Sequence, residues 1–231
     1  TAVRGIELLE EKEPGRAAAL AQELQTLNEE RKVMTETGVE EAVSWIVREH
    51  AQEDAVLVIY LPDLHESLAG IVAGRIRERY YRPTLVLTDA REGVKGSGRS
   101  IPEYSMYEKL SQCSDLLTRF GGHPMAAGFS LERENISAFR RRLNELADLT
   151  PEDLTEKIMI DVPMPLSYLR PDLIRQLERL EPFGNGNEKP VFAQKGVIIR
   201  RAFYIGKQKQ YLKFVLETEN GCRMDGLYFG D

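Results

Sequence analysis

Residues 55–89 hold two short apolar segments on either side of a helix-like one, and this order limits the fold more than any other feature of the sequence. The first apolar segment, AVLVIYL at 55–61, is rich in β-branched residues, as in a buried strand. Residues 68–80 (LAGIVAGRIRERY) suit a helix with a small-residue face, and the second apolar segment at 83–89 suits another strand. Strand, helix and strand in this order predict a parallel βαβ unit and therefore an α/β fold.

The first 50 residues predict a long helix. Pro14 suits the first turn, where its missing N–H costs nothing, and Gly38 would weaken the helix by about 1 kcal/mol relative to alanine, so we consider a kink there. A helix that runs unbroken from Pro14 to Glu49 spans about 54 Å, too long to bury one side within a small domain. We therefore expect a strut between domains. The apolar residues that recur at helical spacing are Leu20, Leu24, Leu27 and Met34.

Composition and charge exclude several classes of protein. The chain has only two cysteines and no C-x-x-C pair, which argues against a disulfide scaffold or a cysteine-built zinc site and suits a reducing cytoplasm. The longest apolar run is far shorter than the roughly 20 residues of a membrane helix, and no N-terminal signal pattern is present. We therefore expect a cytoplasmic protein without a membrane partner. The net charge of −6 by itself argues against a nucleic-acid partner.

The segment GVKGSGRS at 93–100 carries groups that suit a phosphate. It nearly matches the P-loop pattern, but Arg99 replaces the lysine and the Ile-Pro that follows begins a helix poorly, so we disfavour a P-loop. Its glycines would expose backbone N–H groups, Ser97 and Ser100 add hydroxyls, and the Arg99 guanidinium can hold an oxyanion with two hydrogen bonds. The alternative is a glycine-rich hairpin without a ligand.

The segment FGGHPMAAGFSL at 120–131 presents a histidine next to glycines. Because proline follows His123, we expect an extended backbone there, from which the ring could donate to a phosphate or transfer a proton. The alternative is a buried, hydrogen-bonded histidine beside a turn. His65 follows a predicted strand end, a usual place for site residues in α/β folds, although a helix cap explains it equally well. Helices are expected on either side of the FGGH motif, at 104–119 and 133–148.

No metal site is predicted from the histidines. The chain has three of them, and they lack the H-x-x-x-H and H-E-x-x-H spacings of common zinc ligands.

The last third of the sequence predicts a second domain. A polar linker at 149–157 precedes an expected short strand at 158–162 and an expected helix at 171–180. Residues 191–229 contain apolar runs separated by glycine-containing turns, which suggests strands of a small β-barrel. The division that we expect is a connecting helical region at 1–50, an α/β domain at 51–149 and a barrel domain at 150–231.

A basic stretch runs through the predicted barrel. Residues 1–54 hold 6 basic and 13 acidic side chains, whereas no acidic residue occurs between Lys189 and Leu216. Cations for phosphates and aromatic rings for base stacking are what single-strand binding on a small barrel requires. The alternative is that the rings fill the barrel core and the lysines form a solvated edge. The aromatic residues in this region are Phe192, Phe203, Tyr204, Tyr211 and Phe214.

Two of these motifs together resemble a known family. GSGRS followed by FGGHPMAAGFSL is similar to DHHA1, the closing domain of DHH-type phosphoesterases. DLHESLAGIVAGRIRERYYRPTLVL and EPFGNGNEKPVF resemble, more narrowly, the RecJ family of bacterial exonucleases. LNEERK is similar to the helix that joins the two catalytic domains in that family. The resemblance covers nearly the whole chain and implies a long connecting helix, a DHHA1-type α/β domain and part of an oligonucleotide-binding (OB) barrel.

The resemblance also implies an activity. Members of the family degrade single-stranded DNA from its 5′ end, in DNA repair and recombination, by two-metal phosphodiester hydrolysis. Their manganese or magnesium ions are held by aspartates and an Asp-His-His motif of a preceding domain. This sequence contains no Asp-His-His. The resemblance therefore implies that the chain begins after that domain, holds no metal itself and is inactive in isolation.

The resemblance assigns roles to individual residues, with single-stranded DNA as the partner and no protein partner indicated. Arg99 and His123 would act in catalysis. The expected phosphate-binding residues are Ser97, Gly98, Ser100, Gly121, Gly122, Arg75, Arg31 and His65. The residues expected to bind nucleic acid on the barrel are Arg200, Arg201, Tyr204, Lys207, Lys209, Tyr211 and Lys213.

Two other functions stay open at this point. One is a phosphodiesterase of the same superfamily that acts on short oligonucleotides or cyclic dinucleotides, although such substrates need no extended barrel. The other is a binding or scaffold module without catalytic activity.

Overall fold

A computed structural model of the chain describes residues 2–184, 186–206 and 209–229. The chain divides into two compact units, Thr1–Glu156 and Lys157–Asp231. Among the described helices, none is long and apolar enough to cross a membrane. Each unit is considered by itself below.

The first unit contains five α-helices and a five-stranded sheet within its described residues. The helices are α1 (Ala2–Glu10), α2 (Pro14–Arg48), α3 (Ala69–Tyr80), α4 (Met106–Ser111) and α5 (Ile136–Glu145). The strands are β1 (Leu57–Tyr60), β2 (Thr84–Asp89), β3 (Val94–Arg99), β4 (Arg119–His123) and β5 (Ala126–Leu131).

Helix α2 is unbroken over 35 residues, so the kink considered at Gly38 is absent. Pro14 lies in its first turn, and the Glu13 carboxylate caps it by accepting the N–H groups of the next turn. Gly38 is buried, and a Cβ added there would lie 2.8 Å from Leu64 Cδ1 and 3.1 Å from Val72 Cγ2. The glycine is therefore a point of close packing between α2 and the α/β layer. The helix is anchored there by one buried stripe, namely Gly38, Ala42 and Ile46.

The sheet of the first unit has the strand order β1-β2-β3-β5-β4. Strands β1 and β2 are parallel and joined through α3, which confirms the predicted βαβ unit. The remaining neighbours are antiparallel. A tight turn joins β2 to β3, where Gly93 has a φ of +65° that favours glycine. The glycine-rich segment is therefore the central strand of the sheet, not a phosphate-binding loop.

Helices cover the two faces of this sheet unequally. Helices α4 and α5 pack across one face, around Leu85, Leu87, Phe129, Phe139 and Leu143. Helices α2 and α3 pack on the other face, but their core involves only β1 and β2, through Leu57, Ile59, Val86, Val72 and Ile76. On this second face, β5 and β4 carry exposed residues, including Gly121, His123 and Gly128. Half of one sheet face is thus open.

The predicted helices beside the FGGH motif are longer than those observed. The helix expected at 104–119 ends at Ser111, a 3₁₀ turn follows at Ser114–Leu116, and Arg119 already belongs to β4. Pairing of β4 with β5 outweighs the local helical pattern there. The helix expected at 133–148 is a 3₁₀ turn at Arg133–Asn135 followed by α5.

The second unit is mostly β-structure in its described residues. Its elements are β6 (Val162–Pro163), α6 (Pro171–Glu178), β7 (Phe192–Ala193), β8 (Val197–Ile205), β9 (Tyr211–Thr218) and β10 (Arg223–Tyr228). Strands β8, β9 and β10 form an antiparallel sheet, and β6 pairs with β7 in parallel. The two sheets do not close into a barrel within the described residues, as expected for an incomplete OB fold. The strand expected at 158–162 is observed only from Val162.

Candidate nucleic-acid interface

The register of β3, β5 and β4 places Arg99 and His123 on the same sheet face. Arg99 pairs with Ala126 of β5, and Ala126 pairs with His123 of β4. Side chains at paired positions project from the same side of a sheet. Because neighbouring strands lie about 4.8 Å apart, the two backbones are separated by about 10 Å with only the small Ala126 between them. This row lies on the open half of the sheet.

The next row of paired residues contains two glycines, Gly128 and Gly121, which we call the glycine floor. Ser97 pairs with Gly128, which pairs with Gly121. A Cβ added to either glycine would meet nothing within 4 Å, so both face empty space. A polynucleotide backbone can approach the sheet closely over this floor.

A third row extends the same face and was missed in the sequence. Lys95 pairs with Ser130, and Ser130 pairs with Arg119. Lys95 Nζ lies 2.9 Å from Glu66 Oε2, whereas no ion pair involves Arg119 within the described ranges. The available signal was the alternation Lys95, Ser97, Arg99, but the position of Arg119 depends on a hairpin register that the sequence does not reveal.

The Arg99 guanidinium is partly buried and has no acidic partner among the residues that the structure describes. Its Nη1 donates to the Gly98 carbonyl at 2.8 Å and approaches Ser97 Oγ at 3.3 Å. Gly70, at the start of α3, makes room for it, since a Cβ there would lie 2.8 Å from Arg99 Nη2 and 2.9 Å from Ser97 Oγ. A half-desolvated cation without a counter-ion, beside a helix N-terminus, favours an oxyanion ligand.

His123 is exposed at the end of edge strand β4, so the alternative of a buried, hydrogen-bonded histidine is wrong. The extended backbone expected before Pro124 is present. Within the described chain its ring has no hydrogen-bond partner, which leaves both ring nitrogens available to a ligand.

Of three residues expected to bind phosphate, two are buried, and the third is an exposed glycine held close to the backbone of its own hairpin. Ser100 is 1% exposed, and its hydroxyl donates to the Tyr104 carbonyl. Gly98 is buried against Met106, whose Sδ would lie 3.0 Å from an added Cβ. Gly122 has a φ of +151°, and its added Cβ would lie 2.3 Å from the Ala126 carbonyl oxygen. Since β3 is paired on both edges, its backbone N–H groups are not free to cradle a phosphate.

The remaining predicted phosphate ligands do not lie on this sheet face. His65 caps the 3₁₀ turn Glu66–Leu68, and its Nδ1 accepts the Ser67 N–H at 3.2 Å, as the cap interpretation predicted. Arg75 pairs with Glu78 at 3.7 Å on α3, and Arg31 donates to Asn28 at 3.0 Å on α2.

In the second unit, the strand register separates the predicted nucleic-acid ligands onto two faces of the β8–β10 sheet. Tyr211 shares a face with Lys213, Arg201 and Phe203. Tyr204 pairs with Leu212 on the other face, which is mostly apolar. A β-bulge between Ile199 and Arg201 shifts the alternation of β8. The apolar face comprises Ile199, Ala202, Leu212, Phe214, Leu216 and Met224.

Neighbouring strands neutralise part of the basic stretch. Glu217 accepts from Arg200 at 2.9 Å and from Arg223 at 2.7 Å, and these bonds, the Arg200 bond first, lower the pKa of the Glu217 carboxyl. Lys213 Nζ lies 2.7 Å from Asp225 Oδ2. The basic stretch contains no acidic residue in the sequence, but the fold places Glu217 and Asp225 of β9 and β10 next to it.

Lys209, one of the lysines expected to bind nucleic acid, is exposed between β8 and β9. Lys207 lies outside the described residues.

No group of three or more histidine, cysteine, aspartate or glutamate side chains in the described part of the chain could hold a metal ion. The open sheet face presents the cationic and hydrogen-bonding side chains of Lys95, Arg99 and His123.

Comparison with known proteins agrees with these two units. Family models match a DHHA1 domain at residues 53–148 and a RecJ OB domain at residues 160–231. Among curated proteins, the single-stranded-DNA-specific exonuclease RecJ of Bacillus subtilis is 34% identical over 219 residues, which covers 93% of this chain and 28% of that protein.

Solved structures match over the full length of the chain. RecJ from Thermus thermophilus in complex with Mn²⁺ is 31% identical, with a TM-score of 0.81 over 100% of this chain and 33% of that one. Its complex with Mg²⁺ gives a TM-score of 0.79 at 31% identity and covers 35% of that chain. The chain thus spans 28% to 35% of the length of these relatives. It carries a DHHA1 domain followed by a RecJ OB domain, and over nearly its whole length it is similar to the RecJ proteins.

Proposed function

We propose that the chain is the C-terminal part of a cytoplasmic 5′-to-3′ exonuclease specific for single-stranded DNA, which acts in DNA repair and recombination. In this proposal the open face of the first unit binds the substrate phosphates and the second unit binds the single strand. The observation that carries the proposal is the Arg99–Ala126–His123 row beside the glycine floor.

Each residue of this face has a specific task. Arg99, which lacks a counter-ion among the described residues, would hold a phosphate oxygen with two hydrogen bonds. His123 would donate to the same phosphodiester from β4, and Ser97 would donate its hydroxyl from the neighbouring row. Since all three stand on paired strands, their positions are set before the substrate arrives, which is the condition for electrostatic stabilisation of a transition state.

Metal ions would be held by a part of the full-length protein outside this chain. The relatives' structures contain Mn²⁺ or Mg²⁺, but the described residues here form no group able to bind such an ion. The metal would supply the activated water. The residues of this chain would bind and orient the phosphodiester.

The second unit would guide the single strand through its polar sheet face. Arg201, Phe203 and Tyr211 lie together there, so one face offers cations for phosphates and rings for bases.

Kinetics of the full-length enzyme test the proposal. Arg99→Gln and His123→Ala should each lower turnover on 5′-phosphorylated single-stranded DNA by about 10²–10³-fold, as removal of one oxyanion donor does. Affinity should fall by a smaller factor, because the interaction strengthens in the transition state. Arg141→Gln is the matched control, since Arg141 is an exposed arginine of α5 behind the sheet. The proposal fails if both site variants turn over like the control.

The chain by itself offers a second measurement. Because the described residues form no group that could hold a metal ion, the chain should bind labelled single-stranded DNA and release no nucleotides in the presence of manganese. Chelator-sensitive release by the pure chain would contradict the division of labour proposed here.

A further inference from the structure

Two cavities in the first unit join along the open sheet face. The smaller, of about 480 Å³, lies beside Ser97 and Gly128. The larger, of about 1140 Å³, lies at the carboxyl ends of β1 and β2 and includes Arg119 in its lining. Because both are lined by Glu66, Lys95 and Ser130, they form one groove that continues beyond the Arg99–His123 row.

Two cations of β3 stand along this groove. Lys95 lines both cavities. Arg99, which lines neither, lies four residues away on the same strand, at about 3.4 Å per residue, so their rows lie about 14 Å apart. Between them the lining is glycine and serine hydroxyl. This pattern suits a chain with negative charges at intervals and does not suit a single compact anion.

Lys95 and Arg119 differ in whether they pair with an acidic side chain when no ligand is bound. Lys95 is paired with Glu66, with exposed fractions of 54% and 53% for the two side chains. The hydrogen bond from Lys95 lowers the pKa of the Glu66 carboxyl, so this carboxyl is ionised at neutral pH. Arg119 has no acidic partner in the described part of the chain and projects into the larger cavity. An exposed lysine–glutamate pair is weak and is readily exchanged for a stronger anion.

We propose that Lys95 and Arg119 form a second phosphate subsite, which binds the polynucleotide backbone beyond the phosphate held at Arg99, and that Glu66 is the counter-ion that Lys95 exchanges for this phosphate. The subsite rests on the proposed function, because it extends the same substrate along the same face. The larger cavity is also lined by Arg91 and by the acidic Asp63, Glu92 and Glu132, and these three carboxylates disfavour further phosphates there.

Affinities of the 231-residue chain for 5′-phosphorylated oligodeoxynucleotides of one to four residues test the subsite. Arg119→Gln and Lys95→Gln should bind the mononucleotide as the unsubstituted chain does and the tetranucleotide several-fold more weakly. For the tetranucleotide, Arg119→Gln should flatten the slope of log affinity against log salt by about 0.7, the value for one phosphate contact on a single strand.

Glu66→Gln should change the affinity for the tetranucleotide in the opposite direction. With its counter-ion removed, Lys95 should bind the tetranucleotide more tightly at low salt, and the gain should vanish in the Glu66→Gln/Lys95→Gln double variant. A role of this ion pair in folding alone predicts a lower melting temperature and no gain in affinity.

Control variants separate failure of the subsite from failure of the proposed function. If Arg119→Gln and Lys95→Gln bind every oligonucleotide like Arg141→Gln, while Arg99→Gln weakens binding at every length, the subsite is wrong and the Arg99 site stands. If Arg99→Gln also binds like the control, both proposals are wrong.

Discussion

Arg99 and His123 lie on one face of the five-stranded sheet, at the same level of its ladder, because each is paired through Ala126. They are 24 residues apart in sequence and two strands apart in space. Hydrogen-bonded strands, not loops, set their separation. Both side chains therefore project from the same sheet face without any rearrangement. Substitutions that preserve the pairing of β3, β5 and β4 should leave the distance between the two residues unchanged.

The glycine floor predicts that Gly128→Val separates binding from stability. Valine adds bulk in the empty space above Gly128 and suits a strand, so we expect an unchanged or higher melting temperature and weaker binding of single-stranded DNA. Gly96→Ala is the matched control in the same sheet, because its Cβ would lie 2.2 Å from the Phe129 ring. The control should lose about 1–3 kcal/mol of stability. Wild-type affinity in Gly128→Val would show that no backbone crosses this floor.

Two glycines in the helical layer predict opposite changes in stability. Gly74 lies within α3 with nothing within 4 Å of an added Cβ, so Gly74→Ala should stabilise the fold by about 0.5–1 kcal/mol. Gly38→Val should destabilise it by about 1–3 kcal/mol, because α2 packs closely on Leu64 and Val72 there. Urea denaturation of both variants provides the measurement. Equal stability of the two would contradict the close packing of α2.

Tyr60 predicts a loss of stability at alkaline pH. Burial, followed by its hydrogen bond to Asp89, raises the pKa of the Tyr60 hydroxyl from the ordinary 10 to about 12. A raised pKa in the folded state means that the stabilisation is fully present below pH 10 and is lost as the pH rises toward 12. Tyr60→Phe should therefore show a shallower decline of unfolding free energy over this range. Identical slopes for both proteins would rule out the shift.

The two faces of the β8–β10 sheet predict different roles for two tyrosines. Tyr211→Ala should weaken binding of single-stranded DNA by about 1–3 kcal/mol if its ring stacks on one base. Tyr204→Ala should leave affinity unchanged, since Tyr204 lies on the apolar face beside Leu212. Affinities with a melting curve for each variant distinguish a stacked ring from a structural one. Equal losses of affinity would contradict the assignment of faces.

The sequence allowed the α/β framework to be predicted because burial imposes a visible periodicity. The apolar runs at 55–61 and 83–89 and the helix between them reflect local patterns that tertiary contacts reinforce. The central strand β3 escaped prediction because glycine is poor in strands by propensity. Its glycines are required by contacts with Phe129 and Met106, which belong to distant segments.

Residues of the candidate site stand out in the sequence by type and not by direction. Ser97, Arg99 and His123 were proposed partly from their chemistry, whereas Arg119 joins the same sheet face only through the register of β4 and β5. Tyr204 and Tyr211 look equivalent in sequence, but the pairing of β8 with β9 places them on opposite faces, with Tyr204 opposite Leu212 and Tyr211 opposite Ile205. Register depends on pairing between segments, so alternation within one segment does not reveal it.

Strand β3 assigns the core and the candidate site to alternate residues. Gly96 and Gly98 face the packed helices, and Lys95, Ser97 and Arg99 face the open side. A slip of one residue would exchange the two sets, driving the cations into the core and the glycines into the groove. A register shifted by one residue is therefore incompatible with both the core and the candidate site. Whenever this strand is correctly paired, the side chains proposed to bind the substrate already face the open side of the sheet.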